Sequence, residues 1–277
     1  MIASRNPDTA ALAPTGCRVT PDWHTLIHTG ALDGLIIATP PTLHAEMASA
    51  AIEAGIPVLI EKPLTMDAAQ AHVLLDLAKT RGVLTMVDHT QLHLPAYEAL
   101  KARAQALGPV TAIRSSGGNH GPFRAGISAL WDYGPHDVSL CLDLLGEKPS
   151  SIQAEDLQAP GPGRNFRLTL GFPSGANAVI EVGNAFLSKR RRFEAYVDKQ
   201  ALVFSGAAPQ SLTIHDVNDS TLGPGRPIAV SDELPLTRVV NAFTIALSEG
   251  STDLSGLAFG VDVVDILAAC ETSLAGG

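Results

Sequence analysis

Two side chains that can move a proton stand four residues apart in the segment Leu130–Asp137, which reads LWDYGPHD. A histidine that titrates near neutrality beside a carboxylate, here His136 and Asp132, can take a proton from a hydroxyl group or return it. Gly134 and Pro135 suit the N-cap and first position of a helix, so we expect Asp132 just ahead of that helix and His136 in its first turn. The same spacing also occurs in purely structural pairs, so the residues alone leave both roles open.

A charged pair, Glu61–Lys62, follows directly after the apolar run Pro57–Ile60. Doubly wound proteins bind ligands beyond the carboxyl ends of their parallel strands, which is where such a pair would lie. The alternative is an ion pair on a surface loop. His89 and Gln91 follow the next apolar run in the same way, so they could face the same crevice or be satisfied within their own loop.

Two further polar segments carry weaker signals. His120 lies in the glycine-rich segment Gly117–Gly121, which we expect to be a loop, and it could face a substrate or be satisfied locally. The basic run Lys189–Arg192 is typical of a solvated strand entry, although it could also contact an anionic sugar phosphate.

Metal and disulfide chemistry have little support in the sequence. The histidine pairs 24/28 and 89/93 have the i, i+4 spacing of metal ligands, but no third ligand is evident for either, so we expect no metal site. The three cysteines are odd in number and lack CxxC spacing. We expect buried thiols at all three positions, Cys17, Cys141 and Cys270.

Composition excludes several classes of protein. The 277 residues are 45% hydrophobic and 17% charged, which indicates a folded chain large enough for one large or two ordinary domains. The net charge of −9 provides no basic surface for nucleic acid or anionic membranes. The apolar runs are strand-length, far below the roughly 20 residues of a membrane span, and no secretory signal pattern opens the chain. We therefore expect a cytoplasmic protein.

The first part of the chain alternates short apolar runs with helix-length segments, as βαβ units around a parallel sheet do. We expect strands at Gly34–Ala38, Pro57–Ile60 and Val83–Val87, and helices at Pro21–Ile27, Pro40–Gly55 and Asp67–Arg81. The strands are apolar on both faces, which indicates a sheet covered by helices on each side.

From about Pro109 the pattern changes to antiparallel strands and turns. We expect strands at Val110–Ser115, Phe166–Phe172, Ala176–Val182, Phe193–Val197, Leu202–Ser205 and Ser211–His215, then helices at Pro235–Glu249 and Gly256–Ser273. The predicted fold is α/β: an N-terminally incomplete Rossmann doubly wound parallel sheet over residues 1–108, then an α+β domain over 109–277. The second domain should have an open-faced, mainly antiparallel sheet, and an uncovered sheet face favours a homo-oligomer.

The motifs ATPPTLHAEMASAAIEAGIPVLIEKPLT and, some seventy residues later, LWDYGPHDVSLCLDLLG together resemble the glucose-fructose oxidoreductase / inositol dehydrogenase (Gfo/Idh/MocA) family. The resemblance extends over nearly the whole chain and implies an NAD(P)-dependent dehydrogenase for a sugar, polyol or nucleotide sugar. It implies that Lys62 binds the substrate hydroxyl and cofactor ribose, that Asp132 orients substrate, and that His136 is the acid/base. Further candidates follow from the same resemblance and position: for the cofactor Ser4, Arg5, Ala38, Thr39, Pro40, His44, Glu61 and Lys62, and for the substrate His89, Gln91, His120, Trp131 and Tyr133.

The opening residues Ile2–Arg5 match the end of the second strand in that family, and no GxGxxG turn is present in this sequence. The difference is roughly 30 residues, the size of one supersecondary unit. We expect either that the natural protein begins upstream or that the chain is a degenerate paralogue. We also expect the stub at residues 1–3 to have no neighbouring strand, and the sheet to lack its middle.

Ser4–Arg5 stands where the family often has an acidic residue, which favours a cofactor 2′-phosphate and hence NADP over NAD. A solvated terminal charge is the alternative for Arg5. Two functions follow: an NADP-dependent (or NAD-dependent) sugar-type oxidoreductase, or a catalytically silent sugar or dinucleotide sensor or partner protein of the same fold. The sequence selects neither the sugar nor the direction of reaction.

Overall fold

The computed structural model describes residues 1–30, 32–159, 161–206, 211–219 and 221–276. It contains a first part built on short parallel strands and a second part built on one large mixed sheet, as the sequence predicts. Within these ranges no helix has the length and apolar character needed to cross a membrane.

The first part consists of β1 (Ile2–Ala3), α1 (Thr9–Leu12), β2 (Val19–Thr20), α2 (His24–Ile27), β3 (Leu35–Ile37), α3 (His44–Glu53), β4 (Val58–Glu61), α4 (Ala68–Arg81), β5 (Thr85–Asp88) and α5 (Pro95–Leu107). Local signals set several of these bounds. Asp67 accepts a hydrogen bond from the backbone N–H of Gln70 at 2.8 Å and so caps α4, which ends at Gly82 with φ of 64°.

The parallel strands form two separate sheets. Strands β3, β4 and β5 pair in parallel, with Leu35 opposite Val58 and Glu61 opposite Asp88. Strands β1 and β2 pair in parallel with each other, so the prediction that residues 1–3 lack a neighbour is wrong. The two-residue strand β2 is too short to give a sequence pattern. Among the described residues no strand joins the two sheets, so the predicted division of the sheet is present.

The second part contains β6 (Val110–His120), α6 (Ala129–Leu145), β7 (Ser151–Asp156), β8 (Asn165–Gly171), β9 (Asn177–Gly183), β10 (Ala185–Val197), β11 (Gln200–Ser205), β12 (Ser211–Asn218), β13 (Thr221–Leu222) and β14 (Arg226–Ile228), then α7 (Pro235–Ser248) and α8 (Ser255–Ala275). The strand order is β13-β12-β11-β10-β6-β9-β8-β7, with β14 beside β12. Among the described strand pairs of this sheet, only β6 and β9 pair in parallel.

Strands β6 and β10 extend well beyond their predicted bounds, and β7, β13 and β14 were not predicted. Strand β6 continues through His120 because Gly117 and Gly118 pair with Arg191 and Arg190 of β10, respectively. The predicted loop at 117–121 is therefore wrong. Strand β10 begins at Ala185 and contains the whole basic run. Strand β7 is an edge strand that alternates exposed and half-buried residues and contains no buried one, so it gives no apolar run in the sequence.

Helix α6 begins well before the predicted start. It runs from Ala129, so Gly134 and Pro135 lie inside the helix rather than at its cap, and Asp132 lies in its first turn. The early start buries Leu130 and Trp131, whose side chains join the hydrophobic core, and this burial offsets the backbone hydrogen bond that Pro135 cannot make.

Helix α8 joins the two parts of the molecule. Its buried residues Leu257, Val261 and Val264 belong to the same core as the strands of both sheets. Gly260 allows the close approach, since a Cβ there would lie 2.6 Å from a methyl carbon of Val87 on β5. Helix α8 therefore packs against both β5 and α6, where Gly134 allows a similarly close approach by Leu267.

Candidate active site

Lys62 connects the end of β4 to α6. Its Nζ donates a hydrogen bond to the carbonyl oxygen of Asp132 at 2.9 Å and lies 3.5 Å from Oδ1 of the same residue. The side chain is only 17% exposed. Burial lowers the pKa of Lys62, while the negative charges of Asp132 and Glu61 act in the opposite direction. The structure thus brings together two of the three predicted catalytic residues.

His136 is the third predicted catalytic residue. It stands four residues after Asp132 in α6, and this spacing places both side chains on one face of the helix. Burial lowers the pKa of His136 well below its ordinary value, and the positive charges of Lys62 and Arg191 lower it further. The imidazole is therefore neutral at pH 7 and can accept a proton.

His89 follows β5 and lies in the same group of side chains. It is 5% exposed, packs edge-on against Phe259, and its Nε2 is buried without a hydrogen-bond partner among the described residues. Burial lowers the pKa of His89 to about 4, with smaller contributions from Lys62 and His93. Because buried polar atoms rarely lack a partner, this nitrogen is a candidate hydrogen-bonding contact for a ligand.

A buried charge pair borders this group and was not predicted. Asp137 is 1% exposed and accepts a hydrogen bond from the Ser115 hydroxyl at 2.5 Å, and its other oxygen lies 3.7 Å from NH1 of Arg191. Burial raises the pKa of Asp137, and Arg191 opposes that shift. Gly117 makes room for the pair, since a Cβ there would overlap Oδ2 of Asp137.

Strand alternation explains why Arg191 differs from its neighbours. Arg191 faces the helix layer at 17% exposure, whereas Arg190 and Arg192 face the open side of the sheet at 46% and 47%. The prediction of a solvated strand entry is therefore wrong for Arg191. Period-two alternation through Phe193, a core residue on the same face, is the signal that could have identified it.

The segment between β6 and α6 supplies a second residue that was not predicted. NH1 of Arg124 donates to both carboxylate oxygens of Asp132, at 3.1 and 3.4 Å. The Tyr133 hydroxyl donates to the carbonyl oxygen of Gly121 at 3.0 Å. Both contacts fasten this segment to the first turn of α6, beside Lys62. No periodic pattern in the sequence identifies Arg124.

A cavity of about 890 Å³ lies between the two parallel sheets. Five predicted cofactor residues line it: Ser4, Arg5, Ala38, Thr39 and Pro40. Trp23, stacked on His24 with ring centroids 3.8 Å apart, contributes an aromatic surface. The volume and mixed lining suit a nucleotide-sized ligand, with Arg5 available to an anionic group.

Two other predicted cofactor residues have different surroundings. His44 is fully buried, and its ring nitrogens lie 2.8 and 2.9 Å from the carbonyl oxygens of Pro63 and Thr39. It therefore positions the Thr39 and Pro63 loops rather than lining the cavity. Glu61 faces Asp88 across the β4–β5 pair. Burial raises the pKa of Glu61, and the neighbouring negative charge of Asp88 raises it further.

The remaining predicted substrate residues separate into two groups. Tyr133 and Gln91 are half-buried. Tyr133 follows Asp132 on α6, and Gln91 lies on the short turn at 90–93 that follows His89. Trp131 is 3% exposed and packs in the core, which makes a substrate contact by its side chain inconsistent with the structure. His120 is exposed at the end of β6, edge-on to Phe123. In the described parts of the chain no three potential metal ligands cluster.

Together, these side chains can do acid–base chemistry on a hydroxyl group. A neutral imidazole, an ammonium group and a carboxylate converge at the carboxyl ends of β4 and β5, and the nucleotide-sized cavity opens at the ends of β1 and β3. Ligand sites at this edge are typical of doubly wound sheets.

Comparisons with known proteins agree with this geometry. Residues 1–89 match the model of the oxidoreductase family with an NAD-binding Rossmann fold, and residues 98–203 match the GFO/IDH/MocA C-terminal domain. An oxidoreductase structure from Magnetospirillum magnetotacticum superimposes with a TM-score of 0.90 at 42% identity, covering 97% of this chain and 89% of that one. Levoglucosan dehydrogenase in complex with NADH and levoglucosan gives a TM-score of 0.83 at 23% identity, covering 99% and 88%.

Curated relatives align over part of the chain. A dTDP-3,4-didehydro-2,6-dideoxy-alpha-D-glucose 3-reductase from Streptomyces violaceoruber is 35% identical over 159 residues, which are 53% of this chain and 46% of that protein. The UDP-N-acetylglucosamine 3-dehydrogenase from Acidithiobacillus ferrooxidans is 29% identical over 163 residues, 57% of this chain and 50% of that protein. The chain thus spans about half the length of the curated relatives it matches.

Proposed function

Because the chain belongs to the Gfo/Idh/MocA family of oxidoreductases, we propose that it interconverts a hydroxyl and a carbonyl group on a sugar, polyol or nucleotide sugar with NADP or NAD. The observation that carries this proposal is the convergence of Lys62, Asp132 and His136 at one sheet edge. The relatives' activities on dTDP- and UDP-linked sugars support the same class of reaction.

In this proposal His136 takes the proton of the substrate hydroxyl. Its depressed pKa keeps the ring neutral and ready to accept that proton at pH 7. Lys62 donates a hydrogen bond to the same substrate oxygen and stabilises the negative charge that develops there. Asp132 holds the Lys62 ammonium in place through its carbonyl and carboxylate oxygens. Nε2 of His89 offers a further hydrogen bond to the substrate.

The cavity between the two sheets is the proposed dinucleotide site. Ser4 and Arg5 would hold a 2′-phosphate, Ala38, Thr39 and Pro40 would border the rest of the nucleotide, and the bound nicotinamide would accept or supply hydride. Arg5 favours NADP over NAD because a guanidinium binds a phosphate with two parallel hydrogen bonds.

The open face of the large sheet is the proposed surface for a homo-oligomer. It carries alternating charges that line a shallow depression of about 640 Å³, contributed by Arg114, Arg167, Glu181, Arg192 and Glu194. Opposite charges in rows can pair with a second copy turned through a two-fold axis. Light scattering should give at least twice the monomer mass, whereas a monomer at all concentrations would contradict the proposal.

Oxidation of a panel of sugars, polyols and nucleotide sugars with NADP⁺ and NAD⁺ tests the proposed activity. Reduced nicotinamide should appear with at least one substrate class, and H136N should remove it. Replacement of Arg5 by Ala should weaken NADPH binding about tenfold and leave NADH binding unchanged, since only NADPH has the phosphate. Equal loss for both cofactors would contradict the assignment of Arg5.

A further inference from the structure

Asp132 is shared by two cations. Nζ of Lys62 lies 3.5 Å from Oδ1, and NH1 of Arg124 lies 3.1 and 3.4 Å from the two oxygens. One carboxylate therefore contacts two cations, and the negative charge of Glu61 also acts on Lys62.

The two cations occupy different positions around the carboxylate. Lys62 is 17% exposed and lies on the inner side, whereas Arg124 is 55% exposed and lies at the mouth of the site. Arg124 uses only NH1 toward Asp132. Its Nε and NH2 make no hydrogen bond within the described ranges, so one edge of the guanidinium is available to a ligand.

The other arginine nearby does not provide such an edge. Arg191 faces Asp137, and the two buried charges compensate each other at 3.7 Å. Arg124 and Arg191 both lower the pKa of Tyr133, against the larger effect of burial, so the Tyr133 phenol lies within the field of both arginines. Of these two arginines, Arg124 is the one that combines solvent access with a guanidinium edge not used toward Asp132.

We propose that the substrate is an anionic sugar, whose carboxylate or phosphate group is bound by Arg124 at the mouth while the reacting hydroxyl faces Lys62 and His136. This inference rests on the proposed function, because it uses the same site. A guanidinium binds carboxylate and phosphate with two parallel hydrogen bonds, which gives both affinity and orientation. Arg124 is then a specificity-determining residue. A plain surface ion pair with Asp132 would instead have no effect on ligand choice.

Calorimetric titration with three probes tests this proposal. D-glucuronate and D-glucose 6-phosphate carry the two anionic groups, and D-glucose is the neutral reference. The native chain should bind at least one anionic sugar about tenfold or more tightly than glucose, and R124Q should remove that preference. Comparison of the two anionic probes distinguishes a carboxylate site from a phosphate site. R124K should restore part of the preference, since it keeps the charge and loses the planar geometry.

R226Q is the matched control. Arg226 is also 55% exposed and also pairs with an aspartate, Asp216, at 2.7 Å, but it lies on β14 at the edge of the large sheet. R226Q should leave the preference unchanged. Equal affinity for all three sugars, undetectable binding of both anionic sugars, a preference that survives in R124Q, or an equal loss in R226Q would each overturn the proposal.

NADPH titration of the same samples separates this inference from the proposed function. If NADPH binds and the anionic preference is absent, only the role of Arg124 fails. If the Arg124-dependent preference is present and neither NADPH nor NADH binds, the oxidoreductase proposal fails and the anion site stands.

Discussion

The proposed catalytic group, which consists of Lys62, Asp132 and His136, and the nucleotide-sized cavity are constructed differently. Lys62 is fixed by atom-to-atom contacts with α6, and the adjacent Ser115, Asp137 and Arg191 connect three distant chain segments within 2.5–3.7 Å. The cavity is bounded largely by apolar side chains such as Trp23, Leu26 and Met47, and the sheets on its two sides share no hydrogen-bonded strand pair in the described residues. Contacts between polar side chains define the first region, and the positions of two separate sheets define the second.

This difference suggests which changes each region tolerates. In the catalytic group one altered atom leaves a buried charge or polar group without a partner, which is costly. In the cavity most single side chains contribute surface, so a substitution there should alter ligand preference more than stability. The following predictions test that contrast, from the largest expected effect to the smallest.

H136N should reduce turnover by about 10²- to 10⁴-fold, because the proton acceptor is removed. The affinity for NADPH should be unchanged, since His136 does not line the cavity. Steady-state kinetics and a cofactor titration measure the two quantities. H120N, at an exposed strand end, is the control and should retain native turnover. Unchanged turnover in H136N would remove the residue from this role.

R191M should lower the free energy of unfolding by about 3 kcal/mol at pH 7, because Asp137 loses the charge that compensates it. The double variant R191M/D137N should recover much of that loss, since no buried charge is left. Urea denaturation of both variants measures the effect. If the double variant is no more stable than R191M, the coupling between these two side chains is absent.

As the pH falls through the titration range of the buried histidines, the free energy of unfolding should fall as well. The pKa of His89 is about 4 in the folded chain and near 6.5 when exposed, so the unfolded chain takes up the proton first. Its contribution is therefore fully present above pH 6.5 and is lost between 6.5 and 4, by up to about 3 kcal/mol. H89Q should flatten this part of the curve, while H120Q should not. An identical pH dependence in H89Q would contradict the burial of His89.

G117A should destabilise the protein by about 1–3 kcal/mol, because the new methyl group would overlap Asp137 on a central strand. G256A is a matched control in α8, where a Cβ meets no atom within 4 Å, and it should stabilise by about 0.5–1 kcal/mol. Thermal unfolding measures both. Equal effects would mean that the site has more room than the structure indicates.

Prediction from the sequence was most accurate where the periodicity of a segment and its position in the fold indicate the same structure. The apolar runs before Lys62 and His89 predicted β4 and β5 to within a residue or two, and the crevice rule then placed both side chains together. The prediction from sequence failed at α6. Gly134 and Pro135 resemble a helix start, but the burial of Leu130 and Trp131 in the core extends the helix toward its N-terminus.

The residues that were missed depend on long-range pairing. Arg191 acts through its register opposite Gly117, and Arg124 through a loop that approaches Asp132 in space. Neither relation has a local signature. Likewise, the pairing of β1 with β2 depends on two residues per strand, too few for any periodic pattern.

The most direct test of the account is an NADPH titration followed by tryptophan fluorescence. The chain has two tryptophans, of which Trp23 lines the cavity and Trp131 is buried in the core. The account predicts saturable quenching by NADPH that disappears in W23F and weakens in R5A, with H136N unchanged. Absence of quenching by both NADPH and NADH, or quenching that is the same in W23F, would contradict the assignment of this cavity as the cofactor site.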